Sequence, residues 1–157
     1  MSFNFEFRTV ETRRDLLGLI DFIRMQDLHY PNYQDWVSRT EAEIDGGWKT
    51  GVLAISNGFV LGDIIWQPHK ELPRVRELKN MRVDPSVRER YFARFLVKQA
   101  EAEGRGSYDT LMLDLREDHP EKRPLMYMLI SMGYNEMAAI SLYDPNVRDI
   151  VMIKNTA

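Results

Sequence analysis

The chain has 157 residues, of which 44% are hydrophobic and 29% charged, and its formal net charge at pH 7 is −3. This composition predicts one domain spanning residues 1–157, and the net charge argues against a general nucleic-acid-binding protein. With no cysteine, no signal peptide and no apolar run of roughly 18 residues, we expect a cytoplasmic protein without disulfides, cysteine-ligated metals or a membrane span.

The first predicted elements are a strand and two helices. Phenylalanine alternates with polar residues from Phe3 to Val10, which is the pattern of a half-buried strand. A helix with an apolar stripe begins at Thr12. Asn32 is placed to cap a second helix, which Gly46 and Gly47 end.

A β-hairpin follows, and it is the clearest local signal in the chain. Asn57 and Gly58 stand between the apolar runs Val52–Ile55 and Phe59–Trp66. Asn-Gly between two such runs is the strongest short signal for a hairpin turn.

The stretch from Val75 to Gly104 predicts a strand, a turn and a helix with Ser86 as its N-cap. Eight basic and three acidic residues lie between positions 74 and 98, so this stretch carries +5 in a chain of −3. A basic stretch at a helix N-terminus favours a phosphate-bearing ligand, because unpaired N–H groups and the helix dipole also attract anions. The alternative is a solvated basic helix face.

The last third of the chain predicts a strand, a helix and two more strands. The strand Leu111–Leu115 precedes a helix that begins at Asp118 or His119 and ends at Gly133. Strands are then predicted at Met137–Tyr143 and at Ile150–Lys154.

Residues Met81 to Leu96 resemble the acetyl-coenzyme A motif of the GNAT superfamily of N-acetyltransferases. In that motif a strand ends in a Val-x-Pro turn, and an Arg/Gln-x-x-Gly-x-Gly/Ala loop opens a helix whose amides hold the pyrophosphate. Arg88 matches the first position of the loop and Ala93 the last, whereas Tyr91 stands at the middle glycine. The hairpin and the C-terminal half are similar too, so the resemblance covers nearly the whole chain in order.

The resemblance implies an α/β (α+β) fold, with a mixed, mostly antiparallel sheet of six to seven strands flanked by about four helices. It also implies acetyl-CoA as co-substrate, with the amides of Met81 and Val83 beside the thioester and pantetheine. The cofactor-binding residues it implies are Met81, Arg82, Val83, Arg88, Glu89, Arg90, Tyr91, Phe92, Ala93 and Arg94.

Acetylation of an amine needs a base for the ammonium proton, and Glu77 on the motif strand is the first candidate. The alternative is a structural glutamate paired with Lys79 or an arginine. Asp63 on the hairpin is the second candidate base.

The proton donor to the leaving thiolate is harder to identify. Leu129 occupies the position where the family usually has a tyrosine, and Lys122 stands where an asparagine is usual. Tyr127 is the candidate acid, with Tyr91, Tyr143 and water as alternatives.

Three functions stay open at this point. The first is an N-acetyltransferase acting on a primary amine of a protein or small molecule. The second is a non-catalytic GNAT-like module that binds coenzyme A or a protein partner, and the third is a domain that contacts nucleic acid through the basic stretch. We expect no metal site, because His29, His69 and His119 are scattered, and a homodimer is compatible with the sequence.

Overall fold

A seven-stranded sheet and four α-helices account for most of residues 4–25, 30–88 and 91–157, which are the residues that the computed structural model describes. The strands are β1 (Glu6–Thr9), β2 (Thr50–Ser56), β3 (Phe59–Pro68), β4 (Val75–Val83), β5 (Thr110–Arg116), β6 (Asn135–Asp144) and β7 (Val147–Asn155). The helices are α1 (Arg13–Met25), α2 (Tyr33–Asp45), α3 (Phe92–Ala102) and α4 (Lys122–Ser131). Phe3, His29, Glu89 and Arg90, which the sequence interpretation used, lie outside the described residues.

The sheet has the strand order β1-β2-β3-β4-β5-β7-β6. The pairs β1–β2, β2–β3, β5–β7 and β6–β7 are antiparallel, and β4 pairs with β5 in parallel. The mixed, mostly antiparallel sheet with four helices predicted from the sequence is therefore confirmed. No helix in the described ranges has both the length and the apolar character needed to cross a membrane.

The chain forms two compact units, and β4 contributes to both. The first unit consists of Met1–Gln67 and Lys79–Glu103, and the second of Pro68–Leu78 and Gly104–Ala157. Parallel pairing with β5 runs from Val75 to Leu78, so it uses only the part of β4 that belongs to the second unit. The prediction of one domain over residues 1–157 stays a prediction.

The core of the first unit lies where α1 and α2 pack on β2 and β3. Its buried side chains are Leu16, Leu19, Ile20, Phe22, Ile23, Tyr33, Val37, Ile44, Leu53, Ile55 and Ile65. The predicted start of α1 is confirmed, because Thr12 Oγ1 accepts a hydrogen bond from the Asp15 amide at 3.1 Å. Asn32 precedes α2 as predicted, but it has left-handed backbone angles and its side chain makes no capping hydrogen bond.

The predicted hairpin is confirmed in position, and its turn is of type I′. Asn57 and Gly58 have φ angles of 50° and 80°, the pair of positive values that a type I′ turn requires.

Further along β3, Gly62 allows close packing. A Cβ at Gly62 would lie 2.9 Å from the carbonyl oxygen of Arg82 and 3.2 Å from Leu96 Cδ1. This glycine therefore lets β4 and α3 approach β3 within the first unit.

The second unit is built around β5 and β7. Leu111, Leu115, Ile150 and Met152 are buried along these two strands, and Leu129 of α4 is also buried. Helix α4 begins at Lys122, later than the predicted start at Asp118 or His119. The residues between form a turn instead, in which His119 Nδ1 accepts from the Glu121 amide at 3.0 Å.

Candidate functional site

The turn after β4 is organised by Asp84. Its carboxylate Oδ1 accepts hydrogen bonds from the Ser86 amide at 2.9 Å and from Ser86 Oγ at 2.6 Å, and these bonds lower the pKa of Asp84. Pro85–Val87 then form a 3₁₀ turn, and Arg88 Nε donates to the carbonyl of Val83 at 3.4 Å. The prediction that Ser86 caps the helix is wrong, because α3 begins only at Phe92 and Asp84 caps the preceding turn.

Tyr91 is the residue before the first turn of α3. Its backbone is left-handed, with φ 64° and ψ 11°, and its side chain makes no capping hydrogen bond. Its side chain is 71% exposed. At the position where the resembled motif has glycine, the backbone thus keeps the conformation that glycine favours, and the ring points to solvent.

Replacing Tyr91 by glycine is expected to give a more stable protein than replacing it by alanine, by about 1 kcal/mol. Both variants lose the same exposed ring, but only glycine relieves the left-handed strain. Urea denaturation of the two variants measures the difference.

The matched control is the exposed helical position Lys98, where alanine should be the more stable by about 1 kcal/mol. If the alanine variant were more stable than the glycine variant at Tyr91 as well as at Lys98, the backbone of Tyr91 would not be left-handed in solution.

The remaining predicted cofactor residues lie on β4 and in the first turn of α3. Met81, Arg82 and Val83 are half-buried at the end of β4. The ring of Phe92 is buried edge-to-face against Phe5, with the ring centroids 4.5 Å apart, so only its backbone could contact a ligand. The first turn of an α-helix leaves N–H groups without partners inside the helix, and this applies at Phe92 and Ala93.

Asp63 is fully buried in the first unit, which sequence reasoning did not foresee. Asn80 Nδ2 donates to Asp63 Oδ2 at 2.7 Å. Asp63 Oδ1 and Arg82 Nε are also buried, and neither has a hydrogen-bond partner among the described residues. Burial raises the pKa of Asp63 to about 7, although the Asn80 hydrogen bond and the Arg82 charge oppose the shift. The signal in the sequence was a lone carboxyl inside the apolar run Phe59–Trp66.

Glu77 lies in the second unit and is paired with His69. His69 Nε2 is 3.2 Å from Glu77 Oε1, and the two side chains are 18% and 16% exposed. The structural alternative for Glu77 predicted a lysine or arginine partner, and the structure shows that a histidine also pairs with it. Nothing in the sequence points to this pairing, since no local signal connects positions 69 and 77.

Glu77 shares a face of the sheet with Asp114. It aligns with Met112 of β5, and alternate residues of a strand point to one face, so Asp114 lies on the same face two residues further on. Tyr143 of β6 donates from its hydroxyl to Asp114 Oδ1 at 3.3 Å. The pKa of Tyr143 is raised by burial first, and then by the negative charges of Asp114, Asp149 and Glu77, so the hydroxyl keeps its proton at neutral pH.

Tyr127, the acid predicted from sequence, lies on the outer face of α4. It is 63% exposed, and the Arg123 guanidinium stands 5.9 Å from its ring centroid. Leu129, at the usual tyrosine position, is 2% exposed. Within the described ranges, no cluster of three or more histidine or acidic side chains is arranged to hold a metal ion.

No protein-family model and no curated protein sequence matches the chain. Solved structures do match. A protein from Desulfovibrio desulfuricans assigned to the GNAT family of acetyltransferases superposes with a TM-score of 0.81 at 15% identity, covering 98% of this chain and 100% of the other. The ribosomal-protein-S18-alanine N-acetyltransferase from Escherichia coli gives 0.75 at 22% identity, covering 98% and 95%. An aminoglycoside 6′-N-acetyltransferase complexed with coenzyme A gives 0.70 at 17% identity, covering 94% and 96%.

At these identities the similarity shows the fold. The chain has the fold of the GNAT acetyltransferases, and the resemblance inferred from the sequence is confirmed at that level.

Proposed function

We propose that this chain, with its GNAT fold, is an N-acetyltransferase that moves an acetyl group from acetyl-CoA to a primary amine. The observation that carries the proposal is the left-handed backbone at Tyr91, which opens α3 just after the turn that follows β4. A helix N-terminus reached through such a turn suits a pyrophosphate, since N–H groups and the positive end of the helix dipole attract it.

Residues of the first unit are proposed to bind the co-substrate. The pyrophosphate would lie at the N-terminal turn of α3, with the amides of Phe92, Ala93 and Arg94, while Arg88 and Tyr91 border it. Glu89 and Arg90 are also proposed to bind the co-substrate. The amides of Met81 and Val83, with Arg82 between them, would hold the pantetheine and polarise the thioester carbonyl.

Acetyl-CoA supplies an activated acetyl group as a thioester. The amine must lose its ammonium proton before its nitrogen can attack the carbonyl carbon, and we assign that proton to Glu77. The new C–N bond forms and the C–S bond breaks. The nitrogen loses its second proton and the departing thiolate takes one, so the products are the amide, the coenzyme A thiol and the proton that Glu77 accepted. We propose Tyr143 as the donor in preference to Tyr127, because its hydroxyl contacts Asp114 on the face that holds Glu77, whereas Tyr127 is exposed on the outer face of α4.

Binding of acetyl-CoA should raise the melting temperature. Ligand at about 100 times its dissociation constant adds roughly 2.7 kcal/mol, which for a chain of this size is about 5 to 10 °C. Differential scanning fluorimetry with acetyl-CoA measures the shift, and coenzyme A without its 3′-phosphate tests the basic stretch. No shift with either ligand would contradict the proposal.

The second candidate function is a non-catalytic module that binds coenzyme A or a protein partner. Leu129 favours it, because this buried leucine stands where the family usually has the acid tyrosine. A thermal shift without acetyl transfer to any amine in a broad panel would support this function. No shift, with salt-sensitive binding of an oligonucleotide, would support nucleic-acid contact instead.

A further inference from the structure

We infer that His69 is a positioning residue that holds the Glu77 carboxylate through its Nε2–H group. The contact is direct: Nε2 lies 3.2 Å from Glu77 Oε1, and both side chains are largely buried. The inference rests on the proposed function, in which Glu77 takes the proton from the amine.

The hydrogen bonds at Nδ1 show which nitrogen of the His69 ring carries the proton. Nδ1 lies 3.0 Å from the Glu71 amide nitrogen and 2.9 Å from that of Leu72. A backbone N–H can only donate, so Nδ1 must accept from both and carries no proton. The ring proton of a neutral imidazole is then on Nε2, where it donates to Glu77.

The main chain holds the imidazole in place as well. The His69 amide donates to the carbonyl of Val75 at 2.8 Å, two residues before Glu77 on β4. Residues 69 to 72 therefore form a small turn folded around Nδ1, with Nε2 directed at the strand. The His69 ring has little rotational freedom, because the backbone amide of His69 and both ring nitrogens make hydrogen bonds.

This arrangement restricts Glu77. A glutamate side chain has three rotatable torsions, and ordering it costs about 1.5 to 2 kcal/mol of conformational entropy. One carboxylate oxygen of Glu77 is hydrogen-bonded to the fixed His69 ring. The Glu77 side chain therefore loses its conformational freedom once, during folding, and not again at each turnover. A base held in this way reacts faster than one that samples many rotamers.

Two substitutions separate positioning from a purely structural role. In His69→Asn, the side-chain oxygen can take the place of Nδ1 and keep the Glu71 and Leu72 hydrogen bonds, but it cannot reach Glu77. In His69→Gln, the side-chain amide can reach Glu77, while the turn loses its ideal acceptor. We expect His69→Asn to lower kcat by roughly tenfold to a hundredfold, and His69→Gln to stay within about threefold of wild type.

A residue that only supports the turn would give the opposite order, with asparagine tolerated and glutamine harmful. That order would overturn the inference and leave the proposed acetyl transfer standing. His119→Asn is the matched control, since His119 Nδ1 also accepts from a backbone amide at 3.0 Å, and its kcat should equal that of wild type.

A double-mutant cycle tests whether His69 acts through Glu77. In a Glu77→Gln background, His69→Asn should lower kcat little further, because the base on which it acts is already gone. Full additivity of the two losses would overturn the inference. A wild-type kcat in Glu77→Gln alone would instead remove Glu77 from the proposed function.

A spectroscopic readout tests the arrangement without any turnover. The chain has three histidines, so the imidazole ¹⁵N signals can be assigned with His69→Asn and His119→Asn. At neutral pH, His69 should be the Nε2–H tautomer with Nδ1 unprotonated. The Nδ1–H tautomer would contradict the inference whatever the enzyme does.

Discussion

Asp63→Asn is expected to stabilise the protein by up to about 4 kcal/mol at about pH 8, and to remove most of the pH dependence of stability between about pH 5 and pH 8. The reason is the burial of the Asp63 carboxyl, which raises its pKa from 3.8 to about 7. A shift of roughly three units corresponds to roughly 4 kcal/mol, at 1.36 kcal/mol per unit. Asparagine has nearly the same shape and can still accept from Asn80.

The sign follows from proton binding in the two states. Below about pH 4 both states hold the Asp63 proton, so this group has no effect on unfolding. Between about pH 4 and pH 7 the unfolded chain loses the proton while the folded chain keeps it, and stability falls as the pH rises. Above about pH 7 the folded state carries a buried charge, and the full loss persists. Urea unfolding across this range measures the slope.

Asp109→Asn is the control for the Asp63 prediction. Asp109 is exposed, and its hydrogen bond from Arg74 lowers its pKa, so it titrates below the range of interest. Its variant should keep the wild-type slope between about pH 5 and pH 8. Equal slopes in Asp63→Asn and wild type would show that Asp63 is not buried as a protonated acid.

Glu77→Gln is expected to lower kcat by about a hundredfold or more while the melting temperature and the KM for acetyl-CoA stay near wild type. Glutamine is nearly isosteric and its oxygen can still accept from His69 Nε2–H, but it cannot take the ammonium proton. Steady-state kinetics with the best amine of the panel, combined with thermal unfolding, measure both quantities.

Raising the pH should recover part of the Glu77→Gln activity. An alkyl ammonium loses its proton near about pH 10, so the free amine no longer needs a base there. Glu71→Gln is the control, because Glu71 is exposed in the adjoining loop, and its kcat should not change. A wild-type kcat in Glu77→Gln at neutral pH would remove Glu77 from the proposed mechanism.

Features set by neighbouring residues could be read from the sequence. The Asn57-Gly58 turn has its positive φ angles because these two residue types tolerate them, and Thr12 caps α1 through an amide three residues away. The wrong prediction that Ser86 caps the helix also came from neighbouring residues alone. Asp84 and Ser86 are both good capping residues, and only the observed turn distinguishes them.

Only the part of the candidate site whose residues lie close together in the sequence could be predicted. The motif placed Met81, Arg88 and Tyr91 around the turn and the start of α3 from their order alone. The pairing of His69 with Glu77 had no sequence signal, because the two residues meet only when the loop after β3 folds back onto β4. The buried hydrogen bond between Asp63 and Asn80 joins two strands and was missed for the same reason.

By itself, the sequence determined the order of strands and helices, the hairpin turn and the resemblance to the GNAT fold, since these depend on residues a few positions apart. Only the tertiary structure decided that Asp63 is a buried acid, that Tyr91 has a left-handed backbone beneath an exposed ring, and that a histidine holds Glu77. Burial and hydrogen-bond partners depend on residues far apart in the sequence, and the distances between them are fixed only when the chain has folded.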